Sequence, residues 1–115
     1  VGAKDLTQVE RHIFLCNGTA CNEKGAEGVV VLLRQMVKEI GMDTRIHTTR
    51  TRCNGRCDDG PIVIIQPDGV WYGAVTPSVA QEIVLDHLSD NLVVDSHILY
   101  RWGASIITSQ VKPRP

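Results

Sequence analysis

The chain lacks most of what marks a membrane protein, a nucleic-acid binder or an enzyme with a substrate of its own. None of its 115 residues fall in a run of about 18 apolar residues, so no transmembrane helix is expected. The formal net charge is −1, too small for a global field that would gather nucleic acid or a membrane surface. There is no G-x-G-x-x-G, no P-loop and no nucleophile elbow, and no Ser-His-Asp or paired-carboxylate constellation. The opening Val1-Gly2-Ala3-Lys4-Asp5 holds no apolar signal run. No internal repeat or low-complexity segment is present. Cysteine is scarce as well: the chain has four, far below the roughly 8–10% of a disulfide scaffold.

What is there is the placement of those four. They form two tight pairs, Cys16 with Cys21 and Cys53 with Cys57, spaced C-x4-C, 31 residues, C-x3-C, with none left over. Two short loops brought together by a fold offer four thiolates, soft ligands that select zinc, copper(I) or an iron–sulfur cluster. Four readings compete. Buried structural cysteines sit in apolar runs, whereas three of these four are flanked by Asn, Gly, Arg or Asp. Disulfides suit an oxidising compartment and a denser cysteine pattern. Structural zinc accepts both spacings, but the rest of the chain reads as a self-sufficient domain that needs no staple. A [2Fe–2S] cluster takes four cysteines, two on each iron. The runs typical of bacterial [4Fe–4S] and plant-type ferredoxins are absent, and His12, His47, His87 and His97 are scattered with no C-x-H step, against a Rieske centre.

The pattern along the chain predicts one α/β domain. Residues 10–16 read as a strand ending at Cys16, and residues 17–24 as a loop. A helix is expected over 25–40, with Val29, Leu32, Leu33, Met36, Val37 and Ile40 at helical spacing and Gly41 as its stop. Residues 43–49 read as a second strand and 50–60 as the second cysteine loop. Pro61-Ile62-Val63-Ile64-Ile65 is a strand buried on both faces, with Pro61 placed for a cis peptide. A Pro67-Asp68-Gly69 turn leads into a hairpin strand over 70–75, expected at the sheet edge. Thr76-Pro77 opens a helix to about Ser89 that buries Val79, Ala80, Ile83, Val84 and Leu88. A helix between the first two strands makes them parallel, so both cysteine loops leave the sheet on the same side. The tail, 92–115, carries Leu99, Tyr100 and Trp102 and is expected to pack on its own domain or to build an interface.

Ile13-Phe14-Leu15-Cys16 with Cys21, the run Cys53-Asn54-Gly55-Arg56-Cys57-Asp58-Asp59-Gly60-Pro61, and Trp71-Tyr72-Gly73-Ala74-Val75-Thr76-Pro77 carry a family resemblance. Over residues 11–91 the chain resembles the thioredoxin-like [2Fe–2S] ferredoxins and the related cluster domain of the 24-kDa-type subunit of NADH dehydrogenases and hydrogenases. The resemblance implies a thioredoxin-like α/β fold, β-α-β-β-β-α with a mixed sheet and a C-terminal extension. It divides the chain into a cluster-binding domain, 1–91, and the extension, 92–115. It implies one [2Fe–2S] cluster per chain on Cys16, Cys21, Cys53 and Cys57, a one-electron carrier that is not an enzyme, a protein redox partner, and a homodimer. Thiolate ligands fit a cytoplasmic protein. Two alternatives stay open: a structural zinc-binding interaction module, and a cluster subunit of a larger NADH-linked oxidoreductase. Arg45, Arg50, Arg52 and Arg56 fall between Thr44 and Cys57 with no acid among them. This run is expected to face solvent or to steer an acidic redox partner.

Overall fold

The computed structural model describes residues 3–108. Alternation along the first strand sets up the architecture. In β1 (Arg11–Cys16), Ile13 and Leu15 point to one face of the sheet, and Phe14 and Cys16 to the other. β1 pairs in parallel with β2 (Ile46–Thr51) and antiparallel with β3 (Val63–Gln66). β3 turns into β4 (Val70–Tyr72), and β4 pairs with β5 (Ile98–Arg101). The sheet order is β2-β1-β3-β4-β5.

Two helices cover one face. α2 (Ala26–Glu39) lays Val29, Val30, Leu33 and Val37 on the sheet. α3 (Pro77–Glu82) is capped by the Thr76 hydroxyl, which accepts from the Val79 N–H, and winds on as a π-helical segment, Ile83–Leu88. All five expected core residues of this helix are buried. In α2 the stripe shifts slightly: Leu32 and Met36 are partly buried, and Ile40 at the frayed end is exposed. A second, smaller apolar cluster fills the opposite face: Cys16, Cys21, Ala26, Ile62, Ile64 and Leu99, with Phe14, Trp71 and Tyr100 against it.

Three features depart from the sequence reading. The loop over 17–24 contains a short helix, α1 (Thr19–Glu23), entered at Gly18. The second strand starts later, at Ile46, because Met42 to Arg45 form a turn in which the N–H groups of Arg45 and Ile46 both bond the Met42 carbonyl. The hairpin strand is not at the sheet edge: β5 pairs along its outer side. The tail therefore packs on its own domain over 98–101, and Leu99 is 2% exposed. The expected cis peptide is present at Gly60–Pro61, and a second one lies at Gln66–Pro67. No helix among the described residues is long and apolar enough to cross a membrane.

Candidate metal centre

Parallel pairing of β1 and β2 puts Cys16 opposite Thr51, so the two strands end level and the chain leaves both on the same side. Cys21 follows on α1 and Cys53 and Cys57 on the loop after β2. The Cys21 thiol donates to Cys16 Sγ at 3.3 Å, and Cys53 Sγ lies 2.8 Å from Cys57 Sγ. The first pair is buried. In the second, Cys53 is exposed and Cys57 half-buried. The structure thus brings together the members of each expected pair, and all four thiols are free.

Contacts between the two loops hold the pairs to one another. Cys16 Sγ lies 3.4 Å from the Arg52 carbonyl oxygen, one residue before Cys53. A Cβ at Gly18 would fall 3.0 Å from Cys53 Cα. One at Gly60 would fall 2.6 Å from Cys21 Sγ and 3.2 Å from the Cys57 carbonyl oxygen. Only glycine permits so close an approach of backbone to sulfur. Lys24, at the end of α1, reaches across with its ammonium to the carbonyl oxygens of Cys57 and Asp58 at 3.0 and 3.1 Å. Sequence reasoning missed this strap, because a lysine in a polar loop carries no spacing signal.

The electrostatics of the pairs are those of crowded sulfurs. Burial pushes the Cys16 thiol up, but an N–H from Gly18 and the neighbouring Cys21 and Asn54 donors outweigh it and hold the thiol below its ordinary value. Cys21 is pushed up to about 12 by burial and by Cys16 beside it. Cys57 is raised by its hydrogen bond with Cys53, by burial, and by the charges of Cys53 and Cys16. The last contribution shows that the two pairs sense each other. The Gly55 N–H donates to Cys53 Sγ at 3.3 Å, with Gly55 at a φ of 84°.

The arginine run that is acid-free in sequence is not acid-free in space. Arg45 lies 3.8 Å from Glu10, Arg50 2.6 Å from Glu27 on α2, and Arg56 2.5 Å from Asp59. Arg52 is exposed and makes no ion pair among the described residues. The histidines divide between a buried one, His87, and half-buried ones elsewhere.

Among the described residues, no three or more His, Cys, Asp or Glu side chains gather as the ligand set of a single metal ion. The thiols stand as two pairs, the donor set a two-iron rhomb uses. The glycines at Gly18 and Gly60 leave backbone close to the cysteines where a side chain would intrude. The residues present fit a [2Fe–2S] cluster.

Comparison with known proteins agrees. The family model of the thioredoxin-like [2Fe-2S] ferredoxins matches residues 5–88. A Priestia megaterium protein named as a 2Fe-2S ferredoxin is 40% identical over 98 residues, covering 85% of this chain and 76% of the relative. The solved thioredoxin-like [2Fe-2S] ferredoxin of Aquifex aeolicus superposes with a TM-score of 0.77 at 27% identity, covering 84% of this chain and 96% of that one. A subunit of an NADP-reducing hydrogenase from Solidesulfovibrio fructosivorans is 34% identical over 79 residues, covering 65% of this chain and 45% of the subunit. The chain belongs to the thioredoxin-like [2Fe–2S] ferredoxins, one-electron carriers with one [2Fe–2S] cluster per chain.

Proposed function

We propose that Cys16, Cys21, Cys53 and Cys57 are the four cluster ligands, one pair for each iron. The observation that carries this reading is the juxtaposition of two thiol pairs at the level ends of two parallel strands. When bound, the cluster accepts and returns one electron. The chain's own part is to hold, bury and tune it. N–H groups of Gly18 and Gly55 donate to Cys16 and Cys53, and the Lys24 ammonium sits beside the Cys57 carbonyl. Donors and positive charge near thiolate sulfur stabilise the added negative charge and raise the reduction potential. The second pair, with Cys53 exposed and Cys57 half-buried, is the side open to a partner.

In this reading the protein acts on no substrate of its own and works in the cytoplasm, where free thiols persist for cluster assembly. Similarity to a hydrogenase subunit supports a partner that is itself an electron-transfer enzyme. Residues 1–91 form the cluster-binding domain, and 92–115 are an extension that contributes β5. The exposed Trp102 and Ile106 support a homodimer, because large apolar side chains left in water favour burial between copies.

The test is iron and acid-labile sulfide content with the visible spectrum of four single Cys→Ser variants. Each is expected to lose the cluster or shift its spectrum. Wild-type iron and spectrum in all four would sink the ligand assignment, and zinc in place of iron would restore the interaction-module reading. A monomer mass by light scattering at micromolar concentration would remove the dimer.

A further inference from the structure

The loop that carries the exposed cysteine pair does more than present ligands. Asn54, Gly55 and Arg56, all between Cys53 and Cys57, form one wall of a groove of about 250 Å³. Trp71 of β4, Tyr100 of β5 and Ile107 form the other. The two aromatic rings meet edge to face, with centroids 6.4 Å apart. The groove lies on the sheet face that the helices leave uncovered, since Trp71 and Tyr100 both pack on the smaller apolar cluster.

We infer that this groove seats an apolar side chain of a protein redox partner, flanked in that partner by carboxylates. The inference deepens the cluster-ligand reading above and rests on it, because the groove matters for electron transfer only if Cys53 and Cys57 hold iron. Charge selects the occupant. Among the described residues no carboxylate lines the groove, and the one ionic group that does is Arg56. Arg56 pairs with the buried Asp59 at 2.5 Å, its Nε is buried with no acceptor among the described residues, and its side chain is otherwise partly exposed. Arg52, exposed and without an ion pair among the described residues, adds a second cation beside Cys53. An apolar groove with Arg56 in its wall and Arg52 two residues before that wall's Asn54 fits an apolar anchor bracketed by acids, and disfavours a basic segment. A side chain seated there would touch the backbone between two cluster ligands, a short route for an electron.

Both walls can be read in solution with the cluster in place. The chain has two tryptophans, so a Trp102→Phe protein grown on fluorotryptophan gives a single fluorine resonance, from Trp71. The probes are blocked tripeptides of sequence Asp-Trp-Asp, Lys-Trp-Lys and Asp-Ala-Asp. Asp-Trp-Asp is expected to shift the Trp71 resonance saturably in the millimolar range, about tenfold more tightly than either of the others, and several-fold less tightly when salt is raised. Ile107→Asp, which places a carboxylate in the groove, is expected to abolish the response. Equal responses to the three peptides, or no saturable shift with Asp-Trp-Asp, would overturn the inference. So would a shift on raising protein concentration alone, which would make a second copy the occupant. Iron and sulfide are measured on the same samples. A full cluster with no peptide response refutes the groove and spares the ligand assignment, whereas failure of the ligand assignment shows in the cysteine variants.

Discussion

Gly60 shows how a single residue limits the site. A methyl group there would lie 2.6 Å from Cys21 Sγ, closer than real contacts allow, and a tight 3.2 Å from the Cys57 carbonyl oxygen. Neither neighbour is a flexible side-chain end, since one is the sulfur of the buried Cys21 and the other a backbone atom bonded to Lys24. Gly60→Ala must therefore push the two ligand loops apart. It is expected to fold with most of its helix content, to hold less than about half the wild-type iron, and to release iron to a chelator faster. A variant with full iron and wild-type release would show that the loops have slack. Gly28→Ala on α2 is the control, since a Cβ there meets nothing within 4 Å and alanine is the better helix former. The two cysteine pairs stood out in the sequence through their spacing and loop chemistry. Lys24 and Asn54 did not, because what they do depends on a meeting of two loops more than 30 residues apart in sequence.

At the scale of elements, the far end of the sheet is tied together by a chain of polar groups that runs through the core. The Tyr72 hydroxyl accepts from the Val94 N–H at 3.0 Å and lies 2.7 Å from His87 Nδ1, while His87 Nε2 lies 2.6 Å from Asp68 Oδ2. Asp68 also receives Arg11 Nε at 3.2 Å, and Arg11 reaches on to Asn91 and to the Leu88 carbonyl. Facing an acceptor-only carboxylate, His87 Nε2 carries the hydrogen that it donates to Asp68, and Nδ1 shares a hydrogen bond with the Tyr72 hydroxyl. One network thus joins β1, the β3–β4 turn, the end of the last helix and the segment leading to β5. Burial pushes the Asp68 carboxyl up, but the hydrogen bonds from His87 and Arg11 outweigh it and hold it below the usual carboxylate range. A carboxyl with a lower pKa folded than unfolded stabilises the fold through its ionised form. That contribution is complete above the ordinary value of about 4 and is lost as pH falls through the lower folded value. Asp68→Asn is expected to melt lower than wild type at neutral pH, with the difference shrinking below about pH 4. A difference independent of pH would assign Asp68 a purely structural part. His87→Leu takes a hydrogen-bond partner from both the buried Tyr72 hydroxyl and Asp68 and is expected to cost about 1–3 kcal/mol, read as a midpoint lower by roughly 5 °C or more.

The same element scale explains what could be read beforehand. β1, α2, β3 and the last helix announce themselves through period or an apolar run, and each was found close to its expected bounds, β3 starting two residues late at Val63. α1 spans five residues with no apolar stripe, too short for periodicity to register. β5 is four residues in a tail whose apolar positions do not alternate cleanly, and only its pairing with β4 makes it a strand. His87 sits on an apolar helix face as a polar exception. Its partners, Asp68 and Tyr72, lie on the hairpin, so nothing local marks it as buried.

For the molecule as a whole, the open question is whether the tail is an appendage or part of the fold, and the structure supplies a sharp test. Removing residues 92–115 would take β5 from β4, leaving the β4 edge with backbone groups that have lost their ladder partners. It would take Leu99, 2% exposed, out of the apolar cluster that contains Cys16 and Cys21. Burial of such a side chain is worth about 1.5–3 kcal/mol. It would also remove the Val94 N–H from the Tyr72 hydroxyl, Tyr100 from Trp71, and His97 from the Gly73 carbonyl. All four cysteines would remain. Against a net stability of about 5–15 kcal/mol for a native domain, these losses are large. The chain ending at Asn91 is therefore expected to bind its cluster when reconstituted but to lose it faster on warming. It is also expected to self-associate through the bare β4 edge, since such edges template pairing between copies. The measurements are loss of the visible spectrum against temperature and the mass by light scattering. If the shortened chain matches the full one in both, β5 only decorates the sheet and residues 1–91 are complete in themselves. If it loses the cluster early and aggregates, the fifth strand belongs to the cluster-binding unit, and Asn91 does not bound this protein's folding unit.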